Sequence, residues 1–248
     1  MSNIKETSNQ SFYDEDSSQY DAQRWVSPAG RFTNDVQQSL VADLCADWSG
    51  RALEIGQGTA RFTMPLIKMG MKMTICDLSS QMLEVASGNI REAGLEEGLE
   101  QAVEGSIYEL PFDDDSFDHS ISLNVYNHLE HPEKALSQMA RVVRPGGTIL
   151  INYANLRSWY WPAARRINKR SSAVDQEVYS SWIPSGRMKE AARAAGLTFE
   201  RRVGHVHVPR GMEKLPLLPV VRILDGVSRR GPFAALASVH FCLFRKPV

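Results

Sequence analysis

The sequence predicts an α/β fold with a doubly wound, mostly parallel sheet. Apolar runs with strand character alternate with helix-like patterns, which favours parallel strands joined by helices that cover both faces of a sheet. The first run passes into a helix pattern through a turn that contains Gly56 and Gly58. A second run ends in Asp77, which places an acid at the carboxyl edge where open α/β sheets bind ligands.

The turn after the first strand has the most informative spacing in the chain. Residues 53–55 end the predicted strand, and Gly56 and Gly58 follow at once. Glycines at a strand-to-helix turn allow positive φ angles and let a ligand approach the backbone closely. A dinucleotide fingerprint requires another glycine at the sixth position counted from Gly56, where this chain has Arg61. The turn therefore predicts a ligand that is not a dinucleotide.

A different pattern fits the turn, namely an acid at Glu54, glycines at Gly56 and Gly58, and a small residue at Ala60. Further motifs follow in order along the chain. They are Asp77-Leu78-Ser79 with a helix N-cap, Glu104-Gly105-Ser106-Ile107 after a third strand, Leu110–Asp118 before a fourth strand, and Asn124 after that strand. Over residues 50–155 this order resembles the class I S-adenosylmethionine-dependent methyltransferases, in particular the broad methyltransferase type 11 group, which includes quinone-biosynthesis enzymes.

The resemblance implies a seven-stranded, Rossmann-like sheet with a terminal antiparallel hairpin, and S-adenosyl-L-methionine as the cofactor. Glu54 would bind the ammonium of the amino-acid tail, and Asp77 would accept hydrogen bonds from the ribose hydroxyls. The implied cofactor-binding residues are Glu54, Gly56, Gly58, Asp77, Leu78, Ser106, Ile107 and Asn124. The family usually has an aspartate where this chain has Ser106, so the contact with the adenine amino group falls to Ser106, Glu104 or Glu109.

Composition argues against several classes of protein. The formal net charge is −1, which gives no nucleic-acid signature. The three cysteines, Cys45, Cys76 and Cys242, lack the paired spacing of a zinc site or a disulfide framework, and this favours a reducing compartment. Neither a signal peptide nor an apolar run of membrane-spanning length is visible, so we expect a cytoplasmic location.

The chain of 248 residues is long enough for one large α/β domain. The predicted divisions are a disordered leader at 1–18 and a single methyltransferase domain at 19–248, with N-terminal lid helices at 19–48, a cofactor-binding core at 50–155, and substrate-side insertions at 156–184 and 204–237. Within the lid region, Asp35 to Trp48 has the period of an amphipathic helix. This N-terminal segment either closes the cofactor cleft or packs on the surface.

Methyl transfer from a sulfonium is an in-line displacement that depends on positioning the acceptor and excluding water. A hydroxyl or an acidic C–H acceptor must also lose a proton. His128, which follows the fourth strand, is the leading candidate for the base because an imidazole titrates near neutrality. Tyr126 and Tyr20 are alternatives. The residues predicted to contact substrate are Tyr20, Arg24, Tyr126, Tyr153 and Trp159.

No metal site is expected. His128 and His131 lie close together with Glu130 between them, in a stretch that has the character of a turn. His205 and His207 would share one face of a strand, for which we expect surface packing.

Two segments outside the core motifs are expected to choose the acceptor. Residues 156–170 interleave aromatic with basic residues, which could stack a flat acceptor, hold an anionic lipid or phosphate, touch RNA, or close the edge of the core. Residues 208–230 form a long link rich in leucine and valine. It could cover a hydrophobic pocket, form a dimer face or meet a membrane surface, and we expect a pocket cover.

The sequence therefore predicts S-adenosylmethionine-dependent methyl transfer to a small-molecule or lipid-like acceptor, with O-, C- and N-methylation all open. One alternative is an RNA or protein methyltransferase that recognises its substrate through residues 156–170. Another is a cofactor-binding module without turnover. We expect no nucleic-acid partner, peripheral membrane contact at most, and a monomer or a homodimer.

Overall fold

Seven strands form one sheet in the computed structural model, which describes Asp14 and residues 25–158, 182–206, 218–229 and 231–248. The strands are β1 (Arg51–Ile55), β2 (Lys72–Asp77), β3 (Leu99–Glu104), β4 (Phe117–Ser122), β5 (Val143–Ala154), β6 (Thr198–His205) and β7 (Val239–Arg245). Their order across the sheet is β3-β2-β1-β4-β5-β7-β6. The predicted seven-stranded α/β sheet is confirmed.

Helices pack on both faces of this sheet. Those in the described ranges are α1 (Pro28–Leu44), α2 (Thr63–Lys68), α3 (Ser80–Glu92), α4 (Pro132–Val142), α5 (Ser185–Ala194) and α6 (Leu218–Ser228). Successive side chains of β5 point to opposite faces, so Ile149 packs in a cluster with α4 while Leu150 packs in a cluster with α1. The doubly wound prediction is therefore confirmed. None of the helices in these ranges has the length and apolarity needed to cross a membrane.

The strand order reverses at β1. This strand pairs in parallel with β2 on one side and with β4 on the other. Connections leave the sheet in opposite directions at such a point and open a crevice beyond the carboxyl ends of the two strands. The turn at Gly56 follows β1, and Asn124 follows β4, so both lie at this crevice.

Strand β7 runs antiparallel to both of its neighbours. Its Cys242 lies opposite Ile151 of β5, and its Phe241 lies opposite Val203 of β6. The predicted antiparallel ending of the sheet is confirmed. Gly204 of β6 allows the closest approach here, because a Cβ at that position would lie 2.3 Å from the carbonyl oxygen of Ser228.

Helix α1 begins earlier than the sequence predicts. The expected span was Asp35 to Trp48, whereas the helix runs over Pro28–Leu44. Ser27 caps its first turn by accepting a hydrogen bond from the N–H of Gly30 at 3.0 Å, and proline occupies the first helical position. The prediction depended on apolar periodicity, which is weak over the first turns, and did not use these capping signals.

Candidate functional site

The turn after β1 lies at the crevice and has left-handed backbone at three positions. Gly56, Gly58 and Ala60 all have positive φ angles, of 68°, 55° and 68°. The N–H of Gly56 donates to the carbonyl oxygen of Cys76 at 2.8 Å, which ties the turn to the end of β2. A Cβ added at Gly56 would lie only 2.3 Å from Cγ2 of Val125. The absence of a side chain is therefore a steric requirement at Gly56, because Val125 fills the space that a Cβ would enter.

Glu54 is a buried carboxylate directly before this turn. Its side chain is 1% exposed, and the hydroxyl of Thr63 donates to its Oε2 at 2.6 Å. Burial raises the pKa of Glu54 from 4.5 to about 7, although the Thr63 hydrogen bond and the charge of Arg61 act in the opposite direction. A cationic group bound nearby would favour the ionised form of this carboxylate.

Asp77 ends the neighbouring strand β2 at the same edge of the sheet. Its Oδ1 accepts a hydrogen bond from the N–H of Ser79 at 3.0 Å, and the N–H of Leu78 donates to the same carboxylate. Burial still raises the pKa of Asp77 from 3.8 to about 6. The loop thus fixes the carboxylate in place, where it can accept hydrogen bonds from a vicinal diol.

Asp14 is a neighbour of this carboxylate that the sequence did not indicate. The hydroxyl of Ser79 donates to Oδ1 of Asp14 while accepting from the N–H of Met82 at 3.0 Å as the N-cap of α3. The charge of Asp14 adds to the rise in the pKa of Asp77. An N-terminal residue therefore contributes to the electrostatics of the site.

Asn124 closes the crevice from the β4 side. It has a φ of 62°, a left-handed conformation that asparagine tolerates. Its N–H donates to Oδ1 of Asn152 at 2.6 Å, and Nδ2 of Asn152 donates back to its Oδ1 at 3.0 Å. Its own Nδ2 lies 3.4 Å from Oε1 of Gln37 on α1. This reciprocal pair holds the strained residue in place and joins β4, β5 and α1 at the crevice.

Arg61 connects the same turn to α1. Its guanidinium donates to Oδ1 of Asn34 at 3.0 Å and to Oε1 of Gln37 at 2.7 Å. It also lies over the rings of Trp25 and Phe62, with Cζ 4.1 Å and 4.0 Å from the ring centroids. From the sequence alone, Arg61 indicates only that the turn does not match a dinucleotide fingerprint. A long cation at a position that a glycine would otherwise occupy was the available signal for this contact.

We expect Arg61→Ala to loosen the N-terminal part of α1, because two hydrogen bonds and both ring contacts are lost together. The free energy of unfolding should fall by about 1–3 kcal/mol. Faster amide hydrogen exchange over Pro28–Leu44, measured by mass spectrometry, would identify the helix as the part that opens. Arg31→Ala is the matched control, since Arg31 is an exposed arginine on the same helix. Equal exchange in the two variants would contradict the tethering role of Arg61.

The third strand brings the predicted adenine residues to the crevice edge. Ser106 and Glu109 form an isolated bridge after β3, and Oγ of Ser106 accepts a hydrogen bond from the N–H of Tyr108 at 3.1 Å. Ile107 is buried, with 4% of its surface exposed. Ser106 therefore shapes its own turn, and Ile107 provides an apolar wall.

The predicted substrate residues separate into two groups. Tyr126 and Tyr153 are buried in the core, where the hydroxyl of Tyr126 donates to Sδ of Met139 at 3.3 Å and that of Tyr153 lies 3.3 Å from Nδ1 of His240. Burial raises the pKa of both phenols above the ordinary value. Tyr20, Arg24 and Trp159 lie outside the described residues.

His128 lies where the sequence placed it, shortly after β4. It ends the 3₁₀ segment Tyr126–His128, and its N–H donates to the carbonyl oxygen of Val125 at 2.8 Å. Its residue surface is half-buried, so it remains within reach of solvent.

His205 is not a surface residue, contrary to the sequence expectation. It is fully buried, with Nδ1 2.8 Å from Oδ1 of Asp225, because α6 folds back over the end of β6. His207 lies outside the described residues. Within the described ranges, no group of three or more histidine, cysteine, aspartate or glutamate residues is arranged to hold a metal ion.

Together these groups suit one kind of ligand. The turn with Gly56 and Gly58 joins the buried carboxylate of Glu54 to the end of β2, where Asp77 is half-buried, and the edge beyond β3 adds an apolar wall at Ile107. Such a crevice fits a molecule with a cationic tail, a vicinal diol and a flat apolar group.

Comparison with known proteins finds a family model that matches this part of the chain. Residues 53–151 match the methyltransferase domain family. The phosphatidylethanolamine N-methyltransferase of Cereibacter sphaeroides is 35% identical over 102 residues, which cover 41% of this chain and 49% of the relative. The ubiquinone/menaquinone biosynthesis C-methyltransferase UbiE of Brucella anthropi is 32% identical over 150 residues, covering 55% of this chain and 56% of the relative. The chain thus spans about half the length of these curated relatives.

The fold is also shared with solved structures. A SAM-dependent methyltransferase from Thermotoga maritima superposes with a TM-score of 0.68 at 21% identity, covering 96% of this chain and 99% of that chain. At this identity the likeness concerns the fold.

Proposed function

We propose that this chain, which carries a class I S-adenosylmethionine-dependent methyltransferase domain, transfers the methyl group of S-adenosylmethionine to a small-molecule or lipid-like acceptor. The observation that carries the proposal is the convergence of the glycine turn at Gly56 and Gly58 with the buried carboxylate of Glu54 and the half-buried carboxylate of Asp77. This convergence suits the cofactor, whose methyl donor is a sulfonium and whose other recognisable parts are an ammonium and a ribose diol.

Each part of the crevice has a separate role in the proposal. Ionised Glu54 favours the ammonium of the amino-acid tail, and Asp77 accepts hydrogen bonds from the ribose. Gly56, Gly58 and Asn124 shape the main chain around the tail, while Leu78, Ser106 and Ile107 line the adenine end. Because Ser106 already accepts a backbone hydrogen bond, we assign it only a supporting contact with adenine.

His128 is the candidate base for an acceptor that must lose a proton. It follows β4 at the carboxyl edge of the sheet and is half-buried. The phenols of Tyr126 and Tyr153 do not suit this role, because both are buried in the core and burial raises the pKa of each. An N-methylation whose acceptor is already a neutral amine would not require a base.

The proposed acceptor class is supported by the relatives, which are named as a phospholipid and a quinone methyltransferase. The alternative of an RNA or protein substrate depended on residues 156–170, most of which lie outside the described ranges. No observation in the described ranges favours it.

The test of this function begins with Asp77→Ala. Loss of the charged acceptor should weaken binding of S-adenosylhomocysteine, measured by isothermal titration calorimetry, by about 1–3 kcal/mol. Asp47→Ala is the matched control, since Asp47 is an exposed aspartate after α1. An unchanged dissociation constant in Asp77→Ala would refute the assignment.

The acceptor class is then tested by transfer of radiolabelled methyl into a fractionated extract of the source organism, again with Asp77→Ala as the control. We expect label in the organic-soluble or small polar pool. Label confined to RNA or protein would contradict the proposed substrate class. Cofactor binding without label in any pool would favour a module without turnover.

A further inference from the structure

Helix α6 is oriented with its apolar side toward solvent. Val220, Ile223, Leu224 and Val227 are 50%, 68%, 39% and 50% exposed. Their spacing places them on one side of the helix. The buried side carries Asp225 and Ser228, which are 1% and 5% exposed. A helix on the surface of a globular protein ordinarily shows the opposite arrangement.

Polar contacts fix this orientation. Oδ1 of Asp225 lies 2.8 Å from Nδ1 of His205 and accepts the N–H of Val206 at 3.0 Å. Its Oδ2 accepts two hydrogen bonds from Arg229, at 2.9 and 3.0 Å. Rotation of α6 to bury its aliphatic side would break these contacts and leave charged groups unpaired in the interior. The exposed apolar side is therefore a fixed feature of the folded chain.

The exposed surface continues beyond the helix. The 3₁₀ segment Pro232–Leu236 packs against α6 and adds Phe233 and Leu236, which are 58% and 47% exposed. Ten large hydrophobic residues are exposed in the described part of the chain, and six of them lie between Val220 and Leu236. A cluster of exposed apolar residues of this kind marks a surface that contacts another protein or a membrane. We name these six residues the α6 surface.

The charges around the α6 surface are positive. Asp225 is the only acidic residue in the sequence from Leu218 to Val248, and it is buried. Arg222 is exposed as a residue, and its guanidinium lies over the ring of Phe32 on α1, with Cζ 5.7 Å from the ring centroid. Beside the end of α6, a cleft of about 240 Å³ is lined by Arg201, Arg202 and Arg229, with Asp43 as its acidic member.

We propose that the α6 surface docks this protein on an anionic phospholipid bilayer. The exposed aliphatic side chains match the acyl boundary of such a bilayer, and the neighbouring cleft with Arg201, Arg202 and Arg229 matches its negative headgroups. A second copy of the chain matches less well, because the six residues of the α6 surface include no carboxylate that could pair with the arginines of another copy. A surface that binds nucleic acid would instead have a groove lined with cations and aromatic side chains on which bases stack.

The α6 surface lies near the edge of the sheet at which the crevice opens. Asp225 contacts His205 and Val206 at the carboxyl end of β6, which is the same edge of the sheet that holds Asp77 and Asn124. Docking would therefore hold this edge close to the bilayer, where a lipid-like acceptor resides. This consequence rests on the proposed function, whereas the docking itself does not.

Sedimentation with vesicles tests the docking directly. The full chain, without cofactor, is mixed with vesicles of phosphatidylcholine and phosphatidylglycerol or with vesicles of phosphatidylcholine alone. We expect the protein to pellet with the mixed vesicles, more weakly at high salt and with the neutral ones. The double variant Ile223→Ser, Val227→Ser should lower the partition coefficient by at least about tenfold. Arg222→Gln should lower it by about fivefold, and only with the anionic vesicles.

Met69→Ser is the matched control and should bind as the wild type does, because Met69 is 39% exposed and lies just before the amino end of β2. A far-UV circular dichroism spectrum and a urea unfolding midpoint like those of the wild type verify the fold of the double variant. The docking is refuted by a wild type that stays in solution, by a double variant that binds unchanged, or by a dimer that this variant abolishes. A wild type that binds the vesicles but transfers no methyl group would count against the proposed function alone.

Discussion

Replacing Glu54 by glutamine is expected to make the protein more stable and a poorer cofactor binder at the same time. The carboxyl group is 1% exposed, and burial raises its pKa from 4.5 to about 7. Ionising it in the folded state therefore costs free energy that glutamine does not incur. Glutamine keeps the shape of the side chain and an oxygen that accepts the hydroxyl of Thr63.

The sign of the pH dependence follows from the direction of this shift. The unfolded chain loses the Glu54 proton near pH 4.5, whereas the folded chain holds it to about pH 7. The stabilising contribution of Glu54 to the free energy of unfolding is thus fully present below pH 4.5 and is lost as the pH rises through about 7. At pH 8 the free energy of unfolding of Glu54→Gln should exceed that of the wild type by up to about 3 kcal/mol, and at pH 4 the two should agree.

Urea unfolding at the two pH values measures this difference, with the exposed Glu84→Gln on α3 as the control. At pH 8 the affinity of Glu54→Gln for S-adenosylhomocysteine should fall by about 1.5–3 kcal/mol, because a charge-assisted contact with the ammonium is lost. If Glu54→Gln is less stable than the wild type at pH 8, then other groups in the folded chain stabilise the ionised carboxylate enough to offset the cost of burying it. Unchanged affinity would remove Glu54 from the ammonium site.

The parts of the site that the sequence predicts well are those with local causes. The turn at Gly56 needs a residue without a side chain, and Asp77 ends a strand whose apolar run is easily recognised. Strand β1 is short and buried, so its end and the following turn leave a compact local pattern. The ordering of such patterns also predicts the sheet, since the chirality and length of βαβ units allow few topologies.

The features that the sequence does not predict depend on contacts between distant segments. Arg61 bridges to Gln37 across 24 positions, and Asn124 pairs with Asn152 across 28. Neither residue type indicates its partner. Tyr153 has the chemistry of a substrate residue but lies in the core, because its strand is covered on both faces. For α6, periodicity identifies an apolar side but does not say that the contacts of buried Asp225 with His205 and Arg229 turn this side outward.

Gly56→Ala is expected to disrupt both the fold and the crevice. Two separate costs add at this position. A φ of 68° is a left-handed conformation that costs alanine about 1–2 kcal/mol, and the new Cβ would lie 2.3 Å from Cγ2 of Val125. Val125 has a short, stiff side chain and adjoins Asn124, so relief of the clash should displace the asparagine pair. We expect a loss of about 2–4 kcal/mol in the free energy of unfolding and weaker binding of S-adenosylhomocysteine.

Gly94→Ala separates the two costs, because Gly94 has a φ of 67° and its added Cβ would meet nothing within 4 Å. It should lose only the conformational part and bind S-adenosylhomocysteine normally. Combining Gly56→Ala with Val125→Ala removes the methyl group that clashes, so a double-mutant cycle should recover about 1 kcal/mol or more. If the cycle shows no coupling, the close contact with Val125 is not what requires glycine. The requirement for glycine would then come from the left-handed backbone alone. In that case Gly56→Ala should bind S-adenosylhomocysteine equally weakly with valine or alanine at position 125.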